Sequence, residues 1–158
     1  MYDIIPMKPE HLDMVLEIEK QSYTMPWSKN DYITELIKTE SIYFVAVENG
    51  AVIGYIGMWH IINEGHITTV AVSPQKRKSG VGAALLHKLT ETAEQLEMVG
   101  LLLEVRVNNY AAQRLYLKNG FILERIRKNY YSDTGEDALI LWKNLGTENN
   151  DRIEIYTT

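Results

Sequence analysis

The chain has 158 residues, 16 Lys plus Arg against 21 Asp plus Glu, a formal charge of −5 at pH 7, and no cysteine. That length suits one domain whose core needs no covalent staple. The missing cysteines exclude a disulfide scaffold, a Cys-ligated zinc finger, an iron–sulfur protein and a thiol nucleophile. No apolar run approaches the ~18 residues of a membrane span, and the acidic balance speaks against nucleic acid as the main partner. The opening MYDIIPMKPEHLD has no basic region followed by an apolar core, so no signal peptide and a cytoplasmic location are expected.

There is no internal repeat and no low-complexity linker. Asp3-Ile4-Ile5 reads as a short first strand. Pro9 opens a helical stretch, PEHLDMVLEIEKQSY, with Leu12, Val15, Leu16 and Ile18 near helical spacing, and Pro26 breaks it. Ser28 is a good N-cap for a second short helix carrying Tyr32, Ile33, Leu36 and Ile37. Two β-branched and aromatic runs, 41–47 and 52–62, flank Glu48-Asn49-Gly50. Asn-Gly there predicts a hairpin, because both turn positions need positive φ. A strand over 65–72 follows the turn Asn63-Glu64-Gly65, giving three antiparallel strands in a row.

Helical spacing returns with Val81, Ala84, Leu85, Leu89, Ala93 and Leu96, running to about Met98, and Gly100 reads as the glycine closing that helix. LLLEVRV, 101–107, is a strand. Asn108 or Asn109 caps a short helix with Ala111, Ala112, Leu115 and Tyr116, closed by Gly120. A strand over 121–126, the loop YYSDTGEDA and a last strand ALILWKN complete the pattern. Residues 1–146 thus read as one mixed α/β (α+β) domain around a central sheet, and 147–158 as a polar tail.

The most informative segment is VAVSPQKRKSGVGAALL, a strand, a basic glycine-containing loop and a helix. A helix N-terminus offers free N–H groups and partial positive charge to phosphate. Gly80 and Gly82 let a bulky anion approach, and Lys76, Arg77 and Lys78 raise the local potential. The plain alternative is a loop with solvated lysines. A nucleotide-triphosphatase P-loop fails, because neither glycine precedes a lysine. A dinucleotide fingerprint fails too: Leu85 stands in its third glycine place, and the strand runs on past Glu104.

What remains is R-x-x-G-x-G, as Arg77-Lys78-Ser79-Gly80-Val81-Gly82. Downstream, NNYAAQRLYLKNGF reads N-x-x-A-x-x-L-Y-x-x-x-G-F through Asn109, Ala112, Leu115, Tyr116, Gly120 and Phe121. Together these resemble the GNAT N-acetyltransferase family. LEVRVNN, Pro26-Trp27-Ser28, and Tyr130, Tyr131, Glu136, Asp137 and Ala138 in NYYSDTGEDALIL are similar to its RimI-type subfamily, the ribosomal-protein-alanine acetyltransferases. Ser79 departs from the pattern, since relatives usually carry a basic residue just before the glycine.

The resemblance implies a GNAT fold, a mixed, mostly antiparallel sheet of about seven strands with about four helices. It implies acetyl-CoA as co-substrate, with no metal. The acceptor would be a protein N-terminus, of a ribosomal protein in the subfamily's case, with no direct nucleic acid or membrane binding and a monomer or weak dimer as the state. It places the cofactor against Val70, Ala71 and Val72, the loop Arg77, Lys78, Ser79, Gly80, Val81, Gly82 and Ala83, and Asn109 and Tyr116. Asn109 can equally be a simple helix cap. Other acceptors stay open, a small amine or a lysine side chain, as does a non-catalytic CoA-binding module.

Acetyl transfer needs a neutral amine and a proton for the departing thiolate. An α-amine has a pKa near 7.7–8.0 and a lysine amine about 10.4, so an N-terminus needs only modest help. Glu104 is the candidate base: it shares a strand face with Leu102 and Arg106, opposite Leu101, Leu103 and Val105, and partial desolvation is expected to raise its pKa. The alternative is a structural carboxylate paired with Arg106 or capping a neighbouring loop. Tyr116, a phenol of ordinary pKa about 10, is the candidate acid, or else a core aromatic. His66 is a second base, a water-orienting group or a surface residue. Trp27 and Tyr131 are candidate walls of an acceptor groove. Tyr23, Tyr32 and Trp59 carry no functional reading, and no His/Asp/Glu set has metal-ligand spacing.

Overall fold

A computed structural model describes residues 1–146, so the polar tail lies outside the described residues. Its elements are β1 (Asp3–Pro6), a 3-10 turn (Pro9–His11), α1 (Leu12–Ser22), α2 (Lys29–Leu36), β2 (Ser41–Glu48), β3 (Ala51–Ile61) and β4 (Glu64–Val72). After a second 3-10 turn (Pro74–Lys76) come α3 (Val81–Gln95), β5 (Gly100–Arg106), α4 (Tyr110–Lys118), β6 (Ile122–Arg127) and β7 (Ala138–Asn144). One sheet has the order β1-β2-β3-β4-β5-β7-β6. All its pairs are antiparallel except β4–β5. The mixed, mostly antiparallel sheet of seven strands with four α-helices is the expected architecture.

Side-chain alternation divides the core between the two faces of the sheet. Phe44, Ala46, Ile56 and Met58 pack with Val81, Leu85, Leu86 and Leu89 of α3. Tyr43, Val45 and Tyr55 point the other way, against Leu12, Val15 and Ile18 of α1 and Tyr32 of α2. The β2–β3 turn forms as predicted, with Asn49 at φ 50° and Gly50 at φ 79°.

Three local readings change. In α2 the buried residues are Tyr32 and Glu35, while Ile33 and Ile37 are exposed. A carboxylate therefore occupies the place that the apolar spacing gave to isoleucines. Gly100 does not close α3. Glu97 takes the left-handed position, at φ 59°, and Met98 N–H returns to Ala93 O. Gly100 instead opens β5, where a Cβ would lie 2.1 Å from the Trp142 ring. The hairpin between β3 and β4 turns at Ile62, left-handed at φ 56°, and β4 begins at Glu64.

The functional geometry starts in β4. Gly57 pairs with Thr69 and Met58 with Ile67, so Thr68 is a bulged extra residue. β4 pairs with β5 over only three positions, from Glu64↔Gly100 to His66↔Leu102. A bulge bends its strand, and beyond this point β4 and β5 part. The cleft between them is bounded by the end of β4, the end of β5, and the helices on either face.

Candidate active site

The phosphate-binding candidate forms as the motif predicts. Gly80 caps α3 at φ 89°, a left-handed conformation that suits glycine. Ala84 N–H is the first to close a helical turn, onto Gly80 O. The N–H groups of Val81, Gly82 and Ala83 precede the hydrogen-bonded ladder and are offered outward. A Cβ at Gly82 would sit 3.2 Å from Leu115 of α4, so the glycine keeps this mouth open. Lys78 is left-handed at φ 61°, and Ser79 Oγ donates to Lys76 O, which tightens the loop. Lys76 itself points away, pairing with Glu48 at 2.6 Å, so Arg77 and Lys78 remain as the loop's local cations. Arg77 Nε donates to Val72 O at 3.2 Å.

Alternation sorts the end of β4. Ser73 N–H donates to Ile53 O; antiparallel pairing therefore directs the Ala71 backbone toward β3 and those of Val70 and Val72 toward the cleft. Their carbonyls are met there by the Tyr23 hydroxyl, at 2.9 Å, and by Arg77. Ala71 instead buries its side chain with the α1 and α2 residues. Of the three β4 residues expected at the cofactor, two turn their backbone carbonyls to the cleft.

Glu104 shares its face with Leu102 and Arg106 as predicted, but its partner is not Arg106. His66 Nε2 lies 3.2 and 3.1 Å from the two Glu104 oxygens. Burial pushes the Glu104 carboxyl upward, but the His66 hydrogen bond and charge, with Arg127, outweigh it and leave it below the usual carboxylate range. The expected rise is thus reversed, because desolvation acts on a paired group. The hydrogen bond to Glu104 raises the His66 imidazole above its ordinary value, against burial. Each therefore favours the charged form of the other.

Across the cleft, Tyr116 projects from α4 with its ring buried against Phe121, centroids 5.7 Å apart. Among the described residues its hydroxyl makes no hydrogen bond. Burial first, then the nearby Tyr23 and Tyr131 hydroxyls, lift it well above an ordinary phenol, so it holds its proton. Asn109 caps α4, its Oδ1 accepting from Ala112 N–H at 3.2 Å.

On the α1–α2 side, a pocket of about 120 Å³ is lined by Glu19, Tyr23, Met25, Trp27, Tyr32, Thr68 and Thr69. Trp27 is a wall of it, packed on Tyr32 with centroids 5.1 Å apart. Tyr131 is not; it lies over Arg106, whose guanidinium carbon is 4.0 Å from the ring centroid. Burial pushes the Tyr131 hydroxyl up to about 12, with Arg106 pulling it back.

The sequence reading passed over Glu19 and Tyr23. Glu19 is buried and accepts from Tyr32 at 2.8 Å, from Tyr55, and from Trp27 N–H at 3.3 Å. Its signal was present: it stands four residues after Val15 and seven after Leu12, on the apolar face. Tyr23 has no such signal, because its partner Val70 lies 47 residues away. Among the described residues, no group of three or more His, Asp or Glu side chains is gathered to hold a metal, and no helix is long and apolar enough to cross a membrane.

Comparison with known proteins identifies the family. A Bacillus subtilis (strain 168) protein is 40% identical over 137 residues, covering 86% of this chain and 91% of that one; its name assigns it, provisionally, [ribosomal protein bS18]-alanine N-acetyltransferase activity. The Escherichia coli (strain K12) [ribosomal protein bS18]-alanine N-acetyltransferase is 31% identical over 143 residues, 89% of this chain and 96% of that one. A crystal structure of the E. coli ribosomal-protein-S18-alanine enzyme superposes with a TM-score of 0.85 at 29% identity, covering 96% and 98% of the two chains. A Thermoplasma acidophilum N-acetyltransferase in complex with coenzyme A shares the fold, at TM-score 0.77 and 17% identity over 92% of this chain and 99% of that one. The profile of the Acetyltransferase (GNAT) family matches residues 12–121, and with two such relatives over most of its length the chain belongs to that family and is an N-acetyltransferase.

Proposed function

We propose that the chain transfers the acetyl group of acetyl-CoA to the N-terminal α-amine of a protein, with bS18 and its first alanine as the acceptor, in the cytoplasm. The observation that carries the chemistry is the Glu104–His66 pair at the point where β4 and β5 part, with the buried Tyr116 phenol near the Tyr23 hydroxyl that meets the Val70 carbonyl. The names of the relatives support the acceptor.

Acetyl-CoA supplies the thioester. The open first turn of α3, with Arg77, Lys78 and Ser79 before Gly80, Val81, Gly82 and Ala83, would hold its pyrophosphate. The Val70 and Val72 backbones would exchange their present partners, Tyr23 and Arg77, for the pantetheine amides. The free Nδ2 of the capping Asn109 is available to the same ligand. Trp27 and Tyr131 would flank the acceptor.

The Glu104–His66 pair takes the proton of the attacking amine, directly or through a water. The new C–N bond forms as the C–S bond breaks, and Tyr116 donates its proton to the departing thiolate. With no cysteine in the chain, the acetyl group passes straight from donor to amine.

The test is transfer from labelled acetyl-CoA to an alanine-starting bS18 peptide, the same peptide with a blocked N-terminus, and free polyamines. Label on the unblocked peptide alone is expected. Transfer to polyamines but to neither peptide would overturn the acceptor.

A further inference from the structure

The cleft is bridged on its α1–α2 side by side chains that acetyl transfer does not itself require. From β4, the Val70 carbonyl accepts from the Tyr23 hydroxyl. The next residue, Thr24, donates from Oγ1 to Asp133 Oδ2 at 2.8 Å. Asp133, in the loop between β6 and β7, takes both guanidinium nitrogens of Arg106 at 3.0 and 2.9 Å. Arg106 is the last residue of β5. The Thr24–Asp133–Arg106 link does not use the Val70 carbonyl that the pantetheine would take, and it ties the segment after α1 to the end of β5 beyond the point where β4 and β5 stop pairing.

Arg106 is the hub. Its Nη1 also reaches Thr134 Oγ1 at 3.2 Å and Glu136 Oε1 at 3.3 Å, and its guanidinium plane lies against Tyr131. A planar fork meeting a carboxylate at two points fixes direction as well as distance, which an ammonium cannot do. Arg106 and Thr24 hold Asp133 down at about 2, so the bridge stays charged at any working pH. Both loops that carry the two aromatics proposed to flank the acceptor, Trp27 after Thr24 and Tyr131 before Asp133, are joined by this one cluster.

We propose that Arg106 is a positioning residue for the acceptor: through Asp133 and Thr24 it clasps the α1–α2 loop to the β6–β7 loop, and so sets the spacing of the walls that hold the incoming peptide. The proposal rests on a peptide acceptor, as argued above.

Its test is steady-state kinetics of full-length Arg106→Lys, Asp133→Ala and Thr24→Val with the alanine-starting peptide, beside thermal unfolding. The KM for peptide should rise about tenfold, the size expected for a lost hydrogen bond to a charged group. Maximal rate and the KM for acetyl-CoA should stay within about twofold. Thr24→Val and Asp133→Ala together should do no more than Asp133→Ala alone, because both open the same link. An unchanged peptide KM in Thr24→Val and Asp133→Ala, with active wild-type enzyme, overturns the clasp and leaves the acceptor assignment standing. A rise in both substrates' KM with a fall in unfolding temperature makes the cluster merely structural and also overturns it. Absence of any transfer to peptide by the wild type overturns both.

Discussion

At the level of single residues, the catalytic reading makes separable demands. Tyr116→Phe removes one oxygen from a ring that stays packed on Phe121. Turnover should fall about 10²–10⁴-fold while acetyl-CoA binding, measured by calorimetry, is retained. For the base, the pH profile of kcat/KM is the informative measurement. The pair accepts a proton only after losing the one it shares, and His66 is raised by Glu104. The rate should therefore climb with pH through an apparent pKa above the ordinary His value of about 6.5. Glu104→Gln removes the cause of the rise, so that limb should move to lower pH as well as lose amplitude; a limb that stays in place would disconnect it from the pair. The sequence made Glu104 and Tyr116 legible because each sits in a local pattern, an acid in an apolar strand and a tyrosine in L-Y-x-x-x-G-F. It did not make the His66 pairing legible, because that contact crosses 38 residues and depends on the parallel register of β4 with β5.

At the level of elements, the loop into α3 and the bulge in β4 do different work. The loop was readable from glycine spacing and flanking periodicity alone, since its conformation is local. Gly82→Trp should abolish CoA binding by filling the space against Leu115, whereas the fold, read by circular dichroism, should persist. The bulge was not readable: Thr68 becomes an extra residue only through the pairing of β3 with β4, where Tyr43 occupies the place of the absent Gly57 side chain and reaches Thr68 Oγ1 at 2.8 Å. α1 carries a further consequence. Glu19→Ala would leave the buried hydroxyls of Tyr32 and Tyr55 without their acceptor, which should cost about 2–4 kcal/mol in chemical denaturation. The apolar spacing of α1 and α2 placed both helices and most of the α1 stripe, but in α2 it put Ile33 and Ile37 on a face they do not occupy. It missed Glu19 and Glu35 because a buried carboxylate is tolerated only where distant tyrosine, tryptophan or serine donors converge on it.

At the level of the whole molecule, one sheet serves two clusters of different character. The α3 and α4 side is apolar and carries the glycine loop; the α1 and α2 side mixes tyrosines with buried acids. Leu85 is fully buried on the first side, and Leu85→Ala should cost about 2–5 kcal/mol. The proposed cradle exists only in the folded chain, so coenzyme A at a hundredfold excess over its Kd should add about 2.7 kcal/mol of stability, seen as a rise in unfolding temperature that Gly82→Trp lacks. The formal charge of −5 does not describe either side: Lys76 is spent on Glu48, Arg106 on Asp133, and the cations left near the cradle are few. Length and composition bounded the fold class, but the division of labour between the two faces follows from strand order, which no single segment records.

Acetylation of a protein N-terminus with Tyr116 as the acid can be read by mass spectrometry of the bS18 N-terminus, in cells lacking this chain and in the same cells supplied with wild-type protein or Tyr116→Phe. Acetylated alanine that disappears with the chain, returns with the wild type and fails to return with Tyr116→Phe is the predicted result. Acetylation that persists without the chain, or is restored in full by Tyr116→Phe, would contradict it.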